Sequence, residues 1–235
     1  MRKINLVILL MASLMSCANK NMDEIEIASP TYPQDGLSYL ALGDSYTIGE
    51  AVPAVSSFPY QLATALNAQK TKVTAPTIIA RTGWTTDELI AAIKDKALTG
   101  KYDIVTLLIG VNNQYRGYNA DTYRAEFVQL LTTAITYAGG NKKHVFVVSI
   151  PDWGVTPFAQ SRDRAQIARE IDQYNAINKE ETLKAGITYF DITPGSRNAA
   201  ADAALVASDG LHPSGKMYGE WVGKLLPEVV KAFGN

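Results

Sequence analysis

The chain has 235 residues, of which 47% are hydrophobic and 19% charged, and its formal net charge is −1. This length and apolar content allow one sizeable folded core and disfavour a disordered chain. Because phosphate contacts need clustered Lys and Arg, and no basic block is present, the composition disfavours a nucleic-acid partner.

The first 16 residues have the pattern of a secretory signal peptide. The positive segment Met1-Arg2-Lys3 precedes an apolar run from Ile4 to Met15. That run is shorter than the roughly 20 apolar residues that a transmembrane helix needs. We therefore expect residues 1–16 to be a signal peptide.

The end of this segment, Leu14-Met15-Ser16-Cys17, resembles the lipobox of bacterial lipoproteins. The resemblance implies cleavage before Cys17 and acylation of its thiol and new amino group, palmitate being one such acyl group. Cys17 is the only cysteine, so no internal disulfide can form. We expect residues 17–36 to form a polar, flexible tether. We expect a lipoprotein anchored to a membrane of the bacterial cell envelope, facing the periplasm or the surface; the alternative is an ordinary signal peptide with a chance cysteine.

Apolar runs typical of buried strands alternate with helical patterns from residue 37 to the end. The predicted strands are 37–42, 73–80, 102–109, 144–150 and 187–192. The predicted helices begin near residues 57, 85, 119, 161 and 218. Pro76 marks the second strand as an edge or bulged strand. This alternation predicts one domain, 37–235, with three α/β/α layers and a mostly parallel sheet of about five strands.

Polar residues follow several of these strands: Ser45 the first, Gly83 the second, Asn112 the third, and Asp209 and His212 the last. Ligands of open parallel sheets bind beyond the carboxyl ends of the strands, so these residues share one edge. A serine, a histidine and a carboxylate are the minimum parts of a nucleophilic hydrolase. Each signal alone is ambiguous, because a serine after a strand is often a helix cap.

Other kinds of site fit the sequence less well. The residues around Ser45 do not match the Gly-x-Ser-x-Gly pentapeptide of α/β-hydrolases, because Thr47 occupies its last position. The segment Gly210 to Lys216 has the spacing of a phosphate loop, but Met217 stands where Ser or Thr is required. No His-Glu-x-x-His motif and no cysteine cluster is present. We expect no metal and no cofactor.

Four blocks occur in a characteristic order: Gly43-Asp44-Ser45, Gly83, Gly110-Val111-Asn112 and Asp209-x-x-His212. Together they resemble the SGNH (GDSL-type) esterases and lipases, and the resemblance covers the whole globular part. It implies a flavodoxin-like sheet. Many members follow the Asn of the third block with Asp, where this chain has Asn113.

The resemblance also implies a reaction. Ser45 would be the nucleophile, His212 its general base and Asp209 the carboxylate that orients the imidazole. The oxyanion hole would comprise the backbone N–H groups of Ser45 and Gly83 and the side-chain amide of Asn112. Such an enzyme hydrolyses carboxylic esters through an acyl-enzyme intermediate.

Two loops border this predicted site, and they contain Tyr115, Trp153 and Phe158. Their aromatic rings form either a pocket wall, a platform for sugar stacking, or ordinary loop packing. No long insertion could form a lid, so we expect an exposed site for small acyl esters: acetylated carbohydrates, lysophospholipids or aryl esters. Two alternatives stay open, namely an acyltransferase that uses a sugar hydroxyl and a non-catalytic binding lipoprotein. The sequence leaves the oligomeric state open.

Overall fold

The computed structural model describes residues 30–233. Within these residues, five strands form one sheet in which every neighbouring pair is parallel, in the order β2-β1-β3-β4-β5. The strands are β1 (Tyr39–Asp44), β2 (Thr77–Arg81), β3 (Ile104–Leu108), β4 (Val145–Val148) and β5 (Thr188–Phe190). Strands β1, β3 and β4 are buried along their whole length because other strands flank them and helices cover the sheet.

Eight α-helices of the described range flank the sheet. They are α1 (Ser45–Ile48), α2 (Phe58–Ala68), α3 (Thr86–Lys96), α4 (Val111–Tyr115), α5 (Ala120–Tyr137), α6 (Arg164–Lys184), α7 (Thr193–Ser196) and α8 (Gly215–Phe233). Helix α2 packs against α8 in one layer, whereas α3 packs against α5 and α5 against α6 in the other. The prediction of a single α/β domain with about five strands is confirmed.

All five strands differ from the predicted bounds, and β1 and β2 are the two that end later than predicted. Strand β1 runs on to Asp44, because Gly43 still pairs with β2 and β3 and Asp44 still pairs with β2. Strand β2 begins only at Thr77, because Pro76 has no N–H group for the ladder. Val73, the predicted start of β2, instead forms an isolated bridge before the strand. Strand β2 lies at the edge of the sheet, as its proline predicted.

The described chain begins with a segment that partly packs on the domain. The Tyr32 ring lies edge-on against Tyr60, with 5.9 Å between ring centroids. The predicted signal peptide (1–16), the predicted lipidation site Cys17 and most of the predicted tether lie outside the described residues. The domain boundary therefore stays a prediction.

The sheet order creates a switch point between β1 and β3. From β1 the chain moves to β2 at one edge, and from β2 it crosses to β3 on the other side of β1. Connections that leave in opposite directions open a crevice at the carboxyl ends of the strands, where α/β proteins bind ligands. Ser45 follows β1 and Asn112 follows β3, so the fold places both at this crevice.

Candidate active site

The turn from β1 into α1 places Ser45 at the carboxyl edge of the sheet. Position 43 requires glycine, because a Cβ there would lie 2.1 Å from Thr47 Oγ1 and 2.4 Å from the Leu108 carbonyl oxygen. Ser45 is the first residue of α1 and is only 5% exposed. The tight turn therefore fixes the backbone of Ser45 between the strand and the helix.

Asp44, the neighbour of Ser45, is fully buried. Its Oδ1 accepts a hydrogen bond from the Tyr46 N–H group at 3.0 Å and so caps α1. Its Oδ2 has no hydrogen-bond partner among the described residues. Burial raises the pKa of Asp44 to about 7, and the hydrogen bond from Tyr46 opposes this only in part. Asp44 thus keeps its proton through the acid pH range.

Asp209 and His212 lie on a loop that is closed at its base. Val206 and Pro213 form an isolated antiparallel bridge. Within the loop, the Ala207 N–H group donates to the His212 carbonyl oxygen at 2.7 Å. These backbone contacts hold the acid and the histidine, three residues apart, in one turn.

The Asp209 carboxylate sets the state of the His212 ring. Its Oδ2 lies 2.5 Å from Nδ1 of His212, and its Oδ1 accepts the N–H groups of Leu211 and His212 at 3.0 Å each. Burial would raise the pKa of Asp209, but the hydrogen bonds from the ring and the two backbone N–H groups outweigh burial and lower it. Because an ionised carboxylate can only accept, Nδ1 must donate. In the neutral ring Nε2 is then free to accept a proton.

A cleft of about 200 Å³ opens at this edge of the sheet. It is lined by Ser45, Tyr46, Val111, Asn112, Tyr115, Trp153, Phe158, Leu211 and His212. The fold thus brings together six of the residues singled out from the sequence, including all three loop aromatics. Asp209 meets the cleft through His212, whereas Gly83 is not part of its wall. Sequence reasoning missed Tyr46, Val111 and Leu211, which are apolar or aromatic neighbours of the predicted residues.

Gly83 and Asn112 lie on adjoining turns after β2 and β3. Asn112 Nδ2 donates one hydrogen to the Trp84 carbonyl oxygen at 2.9 Å and keeps a second one. Gly83 has a φ of 84°, and its carbonyl oxygen accepts from an Arg116 guanidinium nitrogen at 2.6 Å. A Cβ at Gly83 would meet only that guanidinium, at 3.6 Å. Backbone conformation, rather than crowding, is what favours glycine there.

Asn113, where the sequence departs from the SGNH pattern, has a structural role. It is fully buried, its Nδ2 donates to Thr86 Oγ1 at 2.7 Å, and its Oδ1 accepts the Thr86 N–H group at 3.1 Å. Both bonds join the start of α4 to the start of α3. Asn113 thereby holds the turn that carries Asn112.

The loop after β4 is anchored by contacts that sequence reasoning missed. Trp153 is buried and its Nε1 donates to Gln114 Oε1 at 2.8 Å. Next to it, Asp152 pairs with Arg197 at 2.9 Å, and its N–H group donates to Ser196 Oγ at 2.9 Å. No local pattern in the sequence indicates these partners, because they come from distant segments. The contacts fix the Trp153 ring in the wall of the cleft.

Two further findings concern residues 30–233 only. No three His, Cys, Asp or Glu side chains in this range are grouped so that they could hold a metal ion. None of its helices combines the length and the apolar character needed to cross a membrane.

Several solved structures have the same fold. The chain is similar to TesA, with 15% identity, a TM-score of 0.65, and coverage of 83% of this chain and 99% of that one. It is similar to a lipase/acylhydrolase from Enterococcus faecalis, with 20% identity, a TM-score of 0.64, and coverage of 82% and 95%. It is also similar to Axe2, an acetylxylan esterase from Geobacillus stearothermophilus, with 19% identity, a TM-score of 0.63, and coverage of 85% and 95%.

A family model also matches the chain in sequence. The model is that of the GDSL-like lipase/acylhydrolase family, and it matches residues 41–219. No curated protein sequence matches the chain significantly. The matched range contains all four sequence blocks and nearly the whole sheet and helix framework described above. The chain therefore belongs to the GDSL-like lipase/acylhydrolase family and is a carboxylic ester hydrolase.

Proposed function

We propose that Ser45 attacks the carbonyl carbon of the ester, with His212 as its general base and Asp209 as the carboxylate that orients the ring. One observation carries this proposal: Nδ1 of His212 donates a hydrogen bond to the Asp209 carboxylate, and His212 and Ser45 line the same cleft. The bond leaves Nε2 free to take the serine proton and to return it to the leaving alcohol. Water, activated by the same base, then releases the acid from the acyl-enzyme.

The negative charge that forms on the carbonyl oxygen needs hydrogen-bond donors. We assign the backbone N–H groups of Ser45 and Gly83 and the side-chain amide of Asn112 to this role. Ser45 opens α1, so its N–H group has no acceptor within the helix. The Gly83 N–H group has no acceptor among the described residues. The second amide hydrogen of Asn112 has no acceptor in the described part of the chain, and Asn112 lies in the cleft wall.

The size of the cleft supports a small acyl group. Its volume of about 200 Å³ is below the range of roughly 300–1,000 Å³ typical of pockets that enclose a drug-sized ligand. We therefore propose small acyl esters, such as acetylated carbohydrates and short aryl esters, as substrates; a lysophospholipid would fit only with its long acyl chain exposed outside the cleft. The same fold serves an acetylxylan esterase in Axe2.

The experiment is the hydrolysis of nitrophenyl esters from acetate to palmitate by wild type and Ser45→Ala. We expect the wild-type rate to fall with acyl length, and Ser45→Ala to lower kcat at least about a thousandfold. A serine-directed phosphonate should label wild type and leave Ser45→Ala unlabelled. Ser161→Ala, a change of an exposed serine outside the cleft, is the matched control. A flat, equal response of wild type and Ser45→Ala would refute the proposal and leave a binding role.

An acyltransferase would use the same residues, with a sugar hydroxyl in place of water. The exposure of Tyr115 (49%) and Phe158 (45%) favours this second candidate, because a mouth lined by exposed rings has room for an acceptor. Adding a sugar acceptor would then divert the acyl product from free acid to a new ester. Product analysis by mass spectrometry separates the two activities.

We also propose that Cys17 carries a lipid that holds the protein at a membrane of the cell envelope. The lipobox-like sequence before Cys17 supports this. Labelled palmitate should enter wild type and be absent from Cys17→Ser, and the variant should leave the membrane fraction. Equal labelling of both would contradict the proposal.

A further inference from the structure

A second cavity, of about 500 Å³, adjoins the cleft. The two cavities share Tyr115 and Trp153 in their walls. The polar residues in the wall of the second cavity include Gln114 of α4, Arg162 just before α6, and Gln166 and Glu170 of α6. We call this cavity the α6 groove. If the acyl half of an ester lies in the cleft, its alcohol half would extend past Tyr115 into this groove.

The groove contains a carboxylate held in place by two amides. Glu170 accepts hydrogen bonds from Gln114 Nε2 at 2.6 Å and from Gln166 Nε2 at 2.8 Å. Gln114 is itself buried, and its Oε1 accepts a hydrogen bond from the indole N–H group of Trp153. A carboxylate offers about four acceptor positions, so two remain for a bound donor. Glu170 is therefore a fixed acceptor that faces the groove.

Arg162 and Tyr115 supply a donor and an aromatic face beside this acceptor. The Arg162 guanidinium carbon lies 5.8 Å from the Tyr115 ring centroid, and a guanidinium nitrogen donates to the Tyr115 hydroxyl at 3.4 Å. Arg162 forms no ion pair with any carboxylate of the described residues. Asp163, also in the groove, is occupied as the cap of α6, where it accepts the Gln166 N–H group at 2.8 Å. Within residues 30–233, most of the five donors of Arg162 thus have no partner and could bind a ligand.

The chemistry of these groups decides which alcohol fits. An apolar alcohol would remove water from Arg162 and Glu170 without replacing their hydrogen bonds, which is unfavourable. A sugar brings hydroxyl groups that both donate and accept, and a ring whose C–H face packs on an aromatic side chain. A fixed acceptor, a free donor and an exposed ring match a sugar on all three counts.

We propose that the α6 groove binds the alcohol half of the substrate, and that this half is a carbohydrate. Its ring lies against Tyr115, and its hydroxyl groups donate to Glu170 and accept from Arg162. This inference rests on the proposed function, since it assigns the acyl half to the cleft beside Ser45. It makes the enzyme a deacylase of acylated glycans.

The test compares two esters with the same acyl half: an acetylated xylo-oligosaccharide and nitrophenyl acetate. The measured quantity is the ratio of the two kcat/KM values. We expect Arg162→Gln and Glu170→Gln each to lower this ratio at least about tenfold, the size of one or two lost hydrogen bonds, mainly through the KM of the oligosaccharide. Arg169→Gln, an exposed arginine of the same helix outside the groove, should leave the ratio and both activities unchanged.

A binding measurement makes the test independent of catalysis. Calorimetry with unacetylated xylohexaose and Ser45→Ala should show binding that weakens at least about tenfold when Arg162→Gln is added. An unchanged ratio, or an equal loss on both esters, would overturn the proposal. So would a preference for lysophosphatidylcholine that Arg162→Gln removes, which would assign the groove to a phosphate head group. Failure of the proposed function looks different: Ser45→Ala would then keep the hydrolysis of nitrophenyl acetate.

Discussion

Replacing Asp44 by Asn tests whether the carboxyl beside the nucleophile is buried with its proton. In the unfolded chain an Asp releases its proton near pH 4, whereas burial raises the pKa of Asp44 to about 7 in the folded protein. Between these values the folded state binds more protons than the unfolded state, so stability falls as pH rises. The stabilising contribution is complete below about pH 4 and is lost as pH passes through about 7.

The magnitude follows from the difference between the two pKa values. Each pH unit over which only the folded state keeps the proton changes stability by about 1.4 kcal/mol. Over about three pH units the change amounts to about 4 kcal/mol. In Asp44→Asn the side chain is neutral at every pH and can still accept the Tyr46 N–H group through its oxygen. The variant should therefore gain up to about 4 kcal/mol relative to wild type between pH 4 and pH 8.

The assay is urea unfolding of wild type, Asp44→Asn and a control variant at each pH from 4 to 9, with the midpoints and slopes of the unfolding curves compared. Asp95→Asn, at an exposed position of α3, is the matched control and should follow wild type throughout. The slope against urea should be the same in all three, because the folded structure is unchanged. If the stability curves of Asp44→Asn and wild type stay parallel from pH 4 to pH 8, burial does not hold the proton on Asp44.

Three further predictions concern the site. Asp209→Asn should lower kcat by roughly 10³–10⁴-fold with KM little changed. The amide oxygen would keep the Leu211 and His212 N–H groups, so the NH₂ group would face Nδ1 and favour the wrong tautomer of the ring; a loss under tenfold in steady-state kinetics would contradict this. Asn112→Ala should lower kcat about a hundredfold, equivalent to about 3 kcal/mol, and unchanged turnover would exclude Asn112 from the oxyanion hole. Gly43→Ala should destabilise the protein more than Gly83→Ala, because a Cβ at position 43 would clash with Thr47 and Leu108. Gly83→Ala costs only the roughly 1–2 kcal/mol of a positive φ. If the β1–α1 turn could relax, thermal unfolding would show the reverse order.

Local sequence patterns were sufficient to predict the elements whose causes are local. The apolar runs predict β1, β3 and β4 because strands buried on both faces need apolar side chains on both faces. The helix predicted to begin near residue 85 has a local cause, the capping-box pattern of a Thr followed three residues later by Glu. In the structure Glu88 accepts the Thr85 N–H group at 2.9 Å at the start of α3. Helix α5 begins at Ala120, close to the predicted start near residue 119, and the structure shows Asn119 as its cap.

The features of the fold and site that the sequence did not predict depend on contacts between distant segments. The end of β1 is set by pairing on both sides, which no pattern within residues 37–44 records. Ser57 has the position of a cap for α2, but its hydroxyl donates to the Ala54 carbonyl oxygen instead. Gln114 meets Trp153 and Glu170, which are 39 and 56 residues away in sequence. The groove that these residues form is therefore visible only in the folded chain.

The closed loop that carries Asp209 and His212 has a consequence for how activity is lost on heating. The nucleophile follows β1, a strand paired on both sides whose opening breaks the sheet, whereas Val206–Pro213 is held by a short set of backbone contacts. Amide exchange should therefore be faster in this loop than in β1, through a sub-global opening. Because Asp209 and His212 lie in one turn, both would leave the active site when the loop opens and return to it together when the loop closes. On heating, the enzyme would therefore lose activity reversibly at a temperature below that at which the sheet unfolds.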